Sequence, residues 1–291
     1  MNRKSIMAAL VQHYLSQPYR PEYYYSNVVE VDGQYLGPYI PYVGEYYPEA
    51  KPRILMYAMA QNLNRVKNLM RVWLRSSDKG LLRQYYDSDT PHIHVYPYDN
   101  GRLKVIAALV LSSYQGTSYK PTDNVNTLVA VTNFVKFSFC KKSNGKTFDI
   151  NSPLDIYDKM WHYYCKYEIE LLEPDIIVTV GRDVTLAVNK GLKENRNIKP
   201  IVVGIPFPGR LNLNAQWIPD GKRLIKLKQY NPQKDIDRIK AAIKGTPDRL
   251  GKTRKAIETD WYYFREMEQY FMEVLGNKQI SNRKLKPYCC L

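Results

Sequence analysis

Cysteine and histidine are scarce in this chain, acids are outnumbered, and no long apolar run occurs. Each shortage removes a class of protein. The only cysteines are Cys140, Cys165, Cys289 and Cys290, and no two of them form a C-x-x-C pair. That spacing argues against a zinc or iron–sulfur centre, so neither a metal nor a cofactor is expected. Free thiols in a reducing, cytoplasmic compartment are expected instead. No apolar run approaches the roughly 20 residues of a membrane-spanning helix, so no membrane partner is expected. The start, Met-Asn-Arg-Lys-Ser, leads into an amphipathic helix pattern that contains His13, unlike a signal peptide. The terminal Tyr-Cys-Cys-Leu lacks the fourth-from-last cysteine of a prenylation signal. Asp and Glu number 28 against 43 Lys and Arg, which leaves a net charge of +15.

What is present narrows the choice further. A chain of 291 residues with 44% hydrophobic content has the material for a real core. The basic excess favours a polyanionic partner, through phosphate neutralisation and counterion release. Tyrosine is abundant at 26, with runs at Tyr23-Tyr24-Tyr25, Tyr46-Tyr47, Tyr85-Tyr86, Tyr163-Tyr164 and Tyr262-Tyr263. Its ring can stack on a base and its hydroxyl can meet a phosphate. Most of these rings are nevertheless expected to be half-buried packing residues.

The hydrophobic pattern alternates strand with helix. Residues 3–15 read as a helix with Ile6, Leu10, Val11 and Tyr14 on one face. Residues 16–52 are rich in Pro, Gly and Tyr and read as an ordered irregular arm, so 1–52 is expected to pack on the core as a helix plus arm. Ile54–Ala60 is an uncharged first strand, followed by a helix over 63–74 and a long insertion, 76–101, that carries His92 and His94. These two alternate across a strand-like segment and have no third ligand in view, so a structural role is expected for them. Leu103–Ser113 suits helix or strand, and its Ala and Leu content favours helix. Thr127–Asn133 reads as a second buried strand, Lys141–Ser152 as a polar loop, and Pro153–Leu172 as a helix that buries Met160, Trp161, Tyr164 and Leu171, with His162 packed between aromatics. Asp175–Val180 is a third strand. Gly181 turns the chain into a helix over Val184–Lys190, and Ile201–Gly204 is a fourth strand. A core over 53–230 is followed by helices over 233–244 and 254–275 and by a basic tail, within a carboxyl-terminal segment 231–291. The alternation predicts an α/β fold of three layers, α/β/α, around a mostly parallel sheet.

Three strand ends carry amides or a Pro-rich loop: Ala60-Gln61-Asn62, Thr132-Asn133-Phe134-Val135-Lys136, and Ile205-Pro206-Phe207-Pro208-Gly209-Arg210. Parallel strands place such ends on one edge, where open α/β proteins build their sites. Asn62 and Asn133 also suit a simple capping use at strand ends. No glycine-rich phosphate loop follows the first strand, which argues against a nucleotide-binding Rossmann protein.

In the order and spacing of these motifs the chain resembles the uracil-DNA glycosylase superfamily over roughly 53–230. Ala60-Gln61-Asn62-Leu63 stands where the family has G-Q-D-P-Y or G-M-N-P. Thr132-Asn133-Phe134-Val135-Lys136 matches a T-N-x-V-K pattern. Glu170-Leu171-Leu172-Glu173-Pro174-Asp175-Ile176-Ile177-Val178-Thr179-Val180-Gly181 matches L-x-P-x-x-I-V-x-x-G. Ile205–Arg210 partly fits H-P-S-P or M-P-S-S-S-A-R.

The resemblance implies a monofunctional glycosylase, monomeric, acting on double-stranded DNA with a flipped base. Asn62, with Gln61, would hold the attacking water. Asn133 would pair with the base edge, since an amide both donates and accepts. Tyr96 and Phe207 would line the base pocket. Gly181, Arg182, Lys136, Pro206, Pro208, Gly209, Arg210 and Leu211 would contact DNA, with Arg210 or Leu211 entering the vacated stack. Several departures qualify this. Ile205 replaces the family's catalytic histidine, Leu63 replaces a proline, and Phe137 replaces the cysteine of the iron–sulfur branches. A pyrimidine with its own modification, such as a hypermodified cytosine of phage DNA, is therefore the expected substrate, with a role in antiviral defence. The alternatives are repair of uracil or mismatched thymine, and an inactive relative that only binds DNA.

Overall fold

Four uncharged segments build the centre of the sheet: Ile54–Ala58, Val129–Asn133, Ile176–Val180 and Ile201–Ile205. Continuous β-branched and aliphatic runs of this kind belong to parallel strands covered on both faces. A computed structural model describes residues 1–31, 34–35, 37–60, 102–116, 125–144, 146–195, 197–205, 216–218, 223–225, 267–268 and 270–276. In chain order the elements are α1 (Arg3–Ser16), the ribbon β1 (Glu30–Val31) and β2 (Gln34–Tyr35), then β3 (Tyr42–Val43) and β4 (Ile54–Ala58). Next come α2 (Arg102–Gln115), β5 (Val129–Asn133), β6 (Cys140–Ser143) and β7 (Lys146–Asp149). Helix α3 joins Ile156–Met160, a π-turn over Trp161–Cys165, and Lys166–Leu172 without a break. β8 (Ile176–Val180), α4 (Arg182–Glu194), β9 (Ile201–Ile205) and the hairpin β10 (Gln216–Ile218) and β11 (Arg223–Ile225) follow.

The five-stranded sheet has the order β3-β5-β4-β8-β9. β5, β4, β8 and β9 are mutually parallel, and β3 is an antiparallel edge. Period-two alternation divides the strands between two cores. Ile54, Met56, Val131, Val178 and Ile205 face α2 and the helical turns around Phe271 and Leu275. Leu55, Tyr57, Ala130 and Ile177 face the other side, with residues of α1, α3 and α4. The fold is thus α/β, with helices against both faces of a mostly parallel sheet.

Where sequence and structure differ, the causes are local. The arm over 16–52 is more regular than expected, because Tyr42 and Val43 extend the sheet as β3, paired with Val131 and Ala130. The 141–152 loop contains a hairpin, Cys140–Ser143 against Lys146–Asp149. Its signal was the Asn144-Gly145 pair, the residues a tight hairpin turn selects; Asn144 takes the left-handed φ of 49°. His162 is exposed rather than packed, and Trp161 and Leu171 are only half-buried. The π-turn displaces this face of α3 from the regular helical spacing on which the expectation rested. Helix α1 forms as expected, with the Asn2 side chain accepting the Ser5 N–H at 2.9 Å as its N-cap. The expected helices over 63–74 and 233–244, and the insertion 76–101 with His92 and His94, lie outside the described residues. So does the helix expected over 254–275, except for its last turns. Among the described residues no helix is long and apolar enough to cross a membrane.

Candidate functional site at the carboxyl edge of the sheet

The parallel register brings the ends of four strands to one edge. Ala58 of β4 pairs with Asn133 of β5, and Val180 of β8 pairs with Ile205 of β9. Asn133 and Ile205 are three strands apart, about 14 Å at the usual strand spacing. The ladder continues past the strands. Phe134 N–H donates to the Ala58 carbonyl at 2.8 Å, and Val135 N–H donates to the Met59 carbonyl at 2.9 Å. Met59 and Ala60 then lead towards Gln61 and Asn62, which lie outside the described residues, as do Tyr96, Pro206, Phe207, Pro208, Gly209, Arg210 and Leu211.

Asn133 closes β5 at 3% exposure, so its amide is enclosed at the edge rather than free in solvent. A buried amide needs partners and presents both a donor and an acceptor in one plane. Ile205 ends β9 fully buried and can donate no proton. Gly181 begins α4 with φ 97°, a value that favours glycine, and a Cβ there would stand 3.2 Å from Met59 Sδ. The turn therefore lies against the exit of β4. The Gly181 N–H is committed to the Ile205 carbonyl at 2.8 Å, so this amide is not a phosphate donor. The next amides, from Arg182 onward, open a 13-residue helix whose positive dipole end lies at this edge. Arg182 is exposed, and Asp183 adds a carboxylate to the same first turn. Burial first, and then the charge of Asp183, pushes the Tyr157 hydroxyl up to about 12.

Lys136 is the clear correction. The family resemblance implied a DNA contact for it, but its ammonium is sealed inside the core with 0% side-chain exposure. Nζ donates to Glu168 Oε1 at 2.6 Å and to Thr132 Oγ1 at 3.0 Å. It also lies 5.4 Å from the ring centroid of Tyr57 and 5.9 Å from that of Tyr14. The Tyr57 hydroxyl donates to Glu168 Oε2 at 2.7 Å, and the Tyr14 hydroxyl donates to Oε1. Burial, reinforced by the Glu168 charge, holds both tyrosine hydroxyls well above their ordinary range, so they remain neutral donors. Burial likewise pushes the Cys165 thiol up, which leaves it unreactive.

Glu168 and Tyr57 were not singled out from the sequence, and Tyr14 and Thr132 were named only as a helix-face residue and a motif position, with no polar role. One signal was present: Glu168 lies between Tyr164 and Leu172 at a spacing of four, on the stripe of α3 that enters the core. A carboxylate on such a stripe requires a buried cation, and Lys136 supplies it. Among the described residues no group of three His, Cys, Asp or Glu side chains is placed to hold a metal ion.

No protein-family model matches this chain. No curated protein matches it either.

Proposed function

We propose that this chain is a monofunctional DNA glycosylase that flips a pyrimidine from double-stranded DNA and hydrolyses its N-glycosidic bond. The observation that carries the reading is the convergence at the sheet edge. Ala58, Asn133 and Ile205 end parallel strands there, and the chain leads from them in the expected order to Gln61-Asn62, to the residues after Asn133 and to residues 206–211. On this reading the layers form a three-layer α/β/α fold of the uracil-DNA glycosylase type, and the chain acts as a cytoplasmic monomer.

The chemistry assigns the roles. Water held by Asn62 attacks the sugar C1′ and sheds a proton to solvent as its oxygen bonds the carbon, the C1′–N bond breaks, and its electron pair leaves with the base, which takes up a proton from solvent. An amide orients water but is a poor general base. The Asn133 amide pairs with the edge of the flipped base. The first amides of α4, Arg182 and residues 206–211 face the phosphates, while Lys136 serves the interior. With Ile205 at the position of the usual histidine, no side chain there stabilises the departing anion. A base whose own substituent stabilises that charge is therefore the preferred substrate, such as a modified cytosine of phage DNA.

The test is abasic-site formation on duplexes containing uracil, mismatched thymine or modified cytosines, and on modified phage DNA. Release of a base, abolished by Asn62→Ala with DNA binding retained, supports the glycosylase. Absence of release from every substrate removes it. The buried Ile205 favours one second reading, a relative that binds DNA without cutting it; binding without any release supports that instead.

A further inference from the structure

The segment Thr132–Lys136 closes on itself around Asn133. Four residues of extended chain span about 13 Å, yet Lys136 Nζ reaches back to within 3.0 Å of Thr132 Oγ1. The same ammonium is anchored at 2.6 Å to Glu168 in the last two turns of α3. Glu168 is itself gripped by hydroxyls from β4 (Tyr57) and α1 (Tyr14). One carboxylate thus joins four elements directly beneath the strand end that carries Asn133.

A buried ion pair rarely stabilises a fold more than apolar side chains of the same volume. What it does supply is direction: the ammonium has three donors, and two of them are fixed here on Glu168 and Thr132. The backbone bonds of the loop run from Phe134, Val135 and Tyr39, to the carbonyls of Ala58, Met59 and Lys136 respectively. They set the path of the main chain after residue 133. The side-chain clamp holds the residue immediately before it.

We propose, resting on the reading of Asn133 as the base-pairing amide, that Lys136 is a positioning residue. Through Thr132 and Glu168 it holds the end of β5 so that Asn133 presents its amide in one orientation. It touches neither the base nor DNA.

The first probe removes the Thr132 hydroxyl. Thr132→Val deletes the group that accepts from Lys136 at 3.0 Å and donates to the Asn133 carbonyl at 3.4 Å, and Thr132→Ser restores it; the Lys136 variant below leaves the second of these bonds in place. The first readout is the side-chain amide pair of Asn133 in a nitrogen–proton correlation spectrum, assigned by its disappearance in Asn133→Ala. In Thr132→Val this pair is expected to shift or broaden, and in Thr132→Ser to return. The second readout is base release, where kcat is expected to fall at least tenfold with KM held by the phosphate contacts, and Thr132→Ser is expected to recover it. A charge-free variant, Lys136→Met with Glu168→Gln, keeps an acceptor for one of the two tyrosine hydroxyls and offers an N–H to the oxygen of the other, and provides an independent probe if Thr132→Val does not fold. An unchanged Asn133 amide pair in a folded clamp variant overturns the proposal. If the unmutated protein releases no base from any substrate, the glycosylase reading fails, and the spectrum still decides whether the clamp orients Asn133.

Discussion

Lys136 and Glu168 meet at 2.6 Å with both side chains wholly enclosed, one from the loop after β5 and the other from the last two turns of α3. Removing one member leaves the other charge buried without its partner, which typically costs about 3–5 kcal/mol. Lys136→Met is therefore expected to lower the thermal midpoint steeply. Adding Glu168→Gln to it should recover most of the loss. Denaturant melts of the single and double variants measure both, and a single variant as stable as the parent contradicts the buried pair.

Alkaline pH should act on the same cluster. Tyr14 and Tyr57 are held neutral, with folded-state pKa values raised by burial and by Glu168. A raised acid binds its proton more tightly when folded. Its contribution is complete below the unfolded value near pH 10 and is lost as pH rises above it. Each such tyrosine then removes about 1.4 kcal/mol per pH unit. Ultraviolet titration should accordingly show a fraction of the tyrosines ionising only together with unfolding. Smooth ionisation of every tyrosine near pH 10 in the folded protein runs against this.

Helices α3 and α4 cross where Gly191 meets Trp161. A Cβ on Gly191 would overlap the Trp161 indole, so the indole would have to move. Alanine normally improves a helix by about 0.5–1 kcal/mol over glycine, whereas overpacking costs about 1–3 kcal/mol. Gly191→Ala is therefore expected to destabilise the protein by about 1–2 kcal/mol. The smaller ring of Trp161→Phe should relieve part of that loss. A stabilised Gly191→Ala would mean that the helices are further apart.

The two asparagines should separate kinetically. Under the glycosylase reading, Asn62→Ala removes the water-holding amide and should abolish turnover with DNA affinity intact. Asn133→Ala removes recognition of the base edge, and should lower kcat/KM by a factor that varies with the base offered. Losing one bidentate contact corresponds to about 1–3 kcal/mol, or roughly tenfold to a hundredfold. Equal loss for every base would assign Asn133 to support of the fold. Single-turnover release from uracil and modified-cytosine duplexes makes the comparison.

Much of the scaffold was legible in local pattern. The runs at Ile54, Val129, Ile176 and Ile201 read as buried strands, because each is uncharged and short, and length decides between strand and helix for such runs. The helical stripe of α1 followed from its spacing, and α2 from the Ala and Leu content of a segment that its apolar pattern alone left open between helix and strand. β3 was not legible, because Tyr42-Val43 is two residues long and becomes a strand only by pairing with β5. The hairpin β6/β7 was legible in its Asn144-Gly145 turn, but polar flanks suggested a loop.

The amino-acid order determined which segments are strands, that they run parallel through intervening helices, and therefore that Asn133 and Ile205 lie on one edge. Those properties depend on period and length, which are local. Only the tertiary structure decided where Lys136 goes. The resemblance of its T-N-x-V-K segment implied a cation that faces DNA, and its four-carbon stem can equally lie in solvent or fold inward. The choice was made by Glu168, 32 residues away, and by the hydroxyls of Tyr14 and Tyr57, which together make a buried ammonium stable. A charge is read from one residue, but its solvation belongs to everything packed around it.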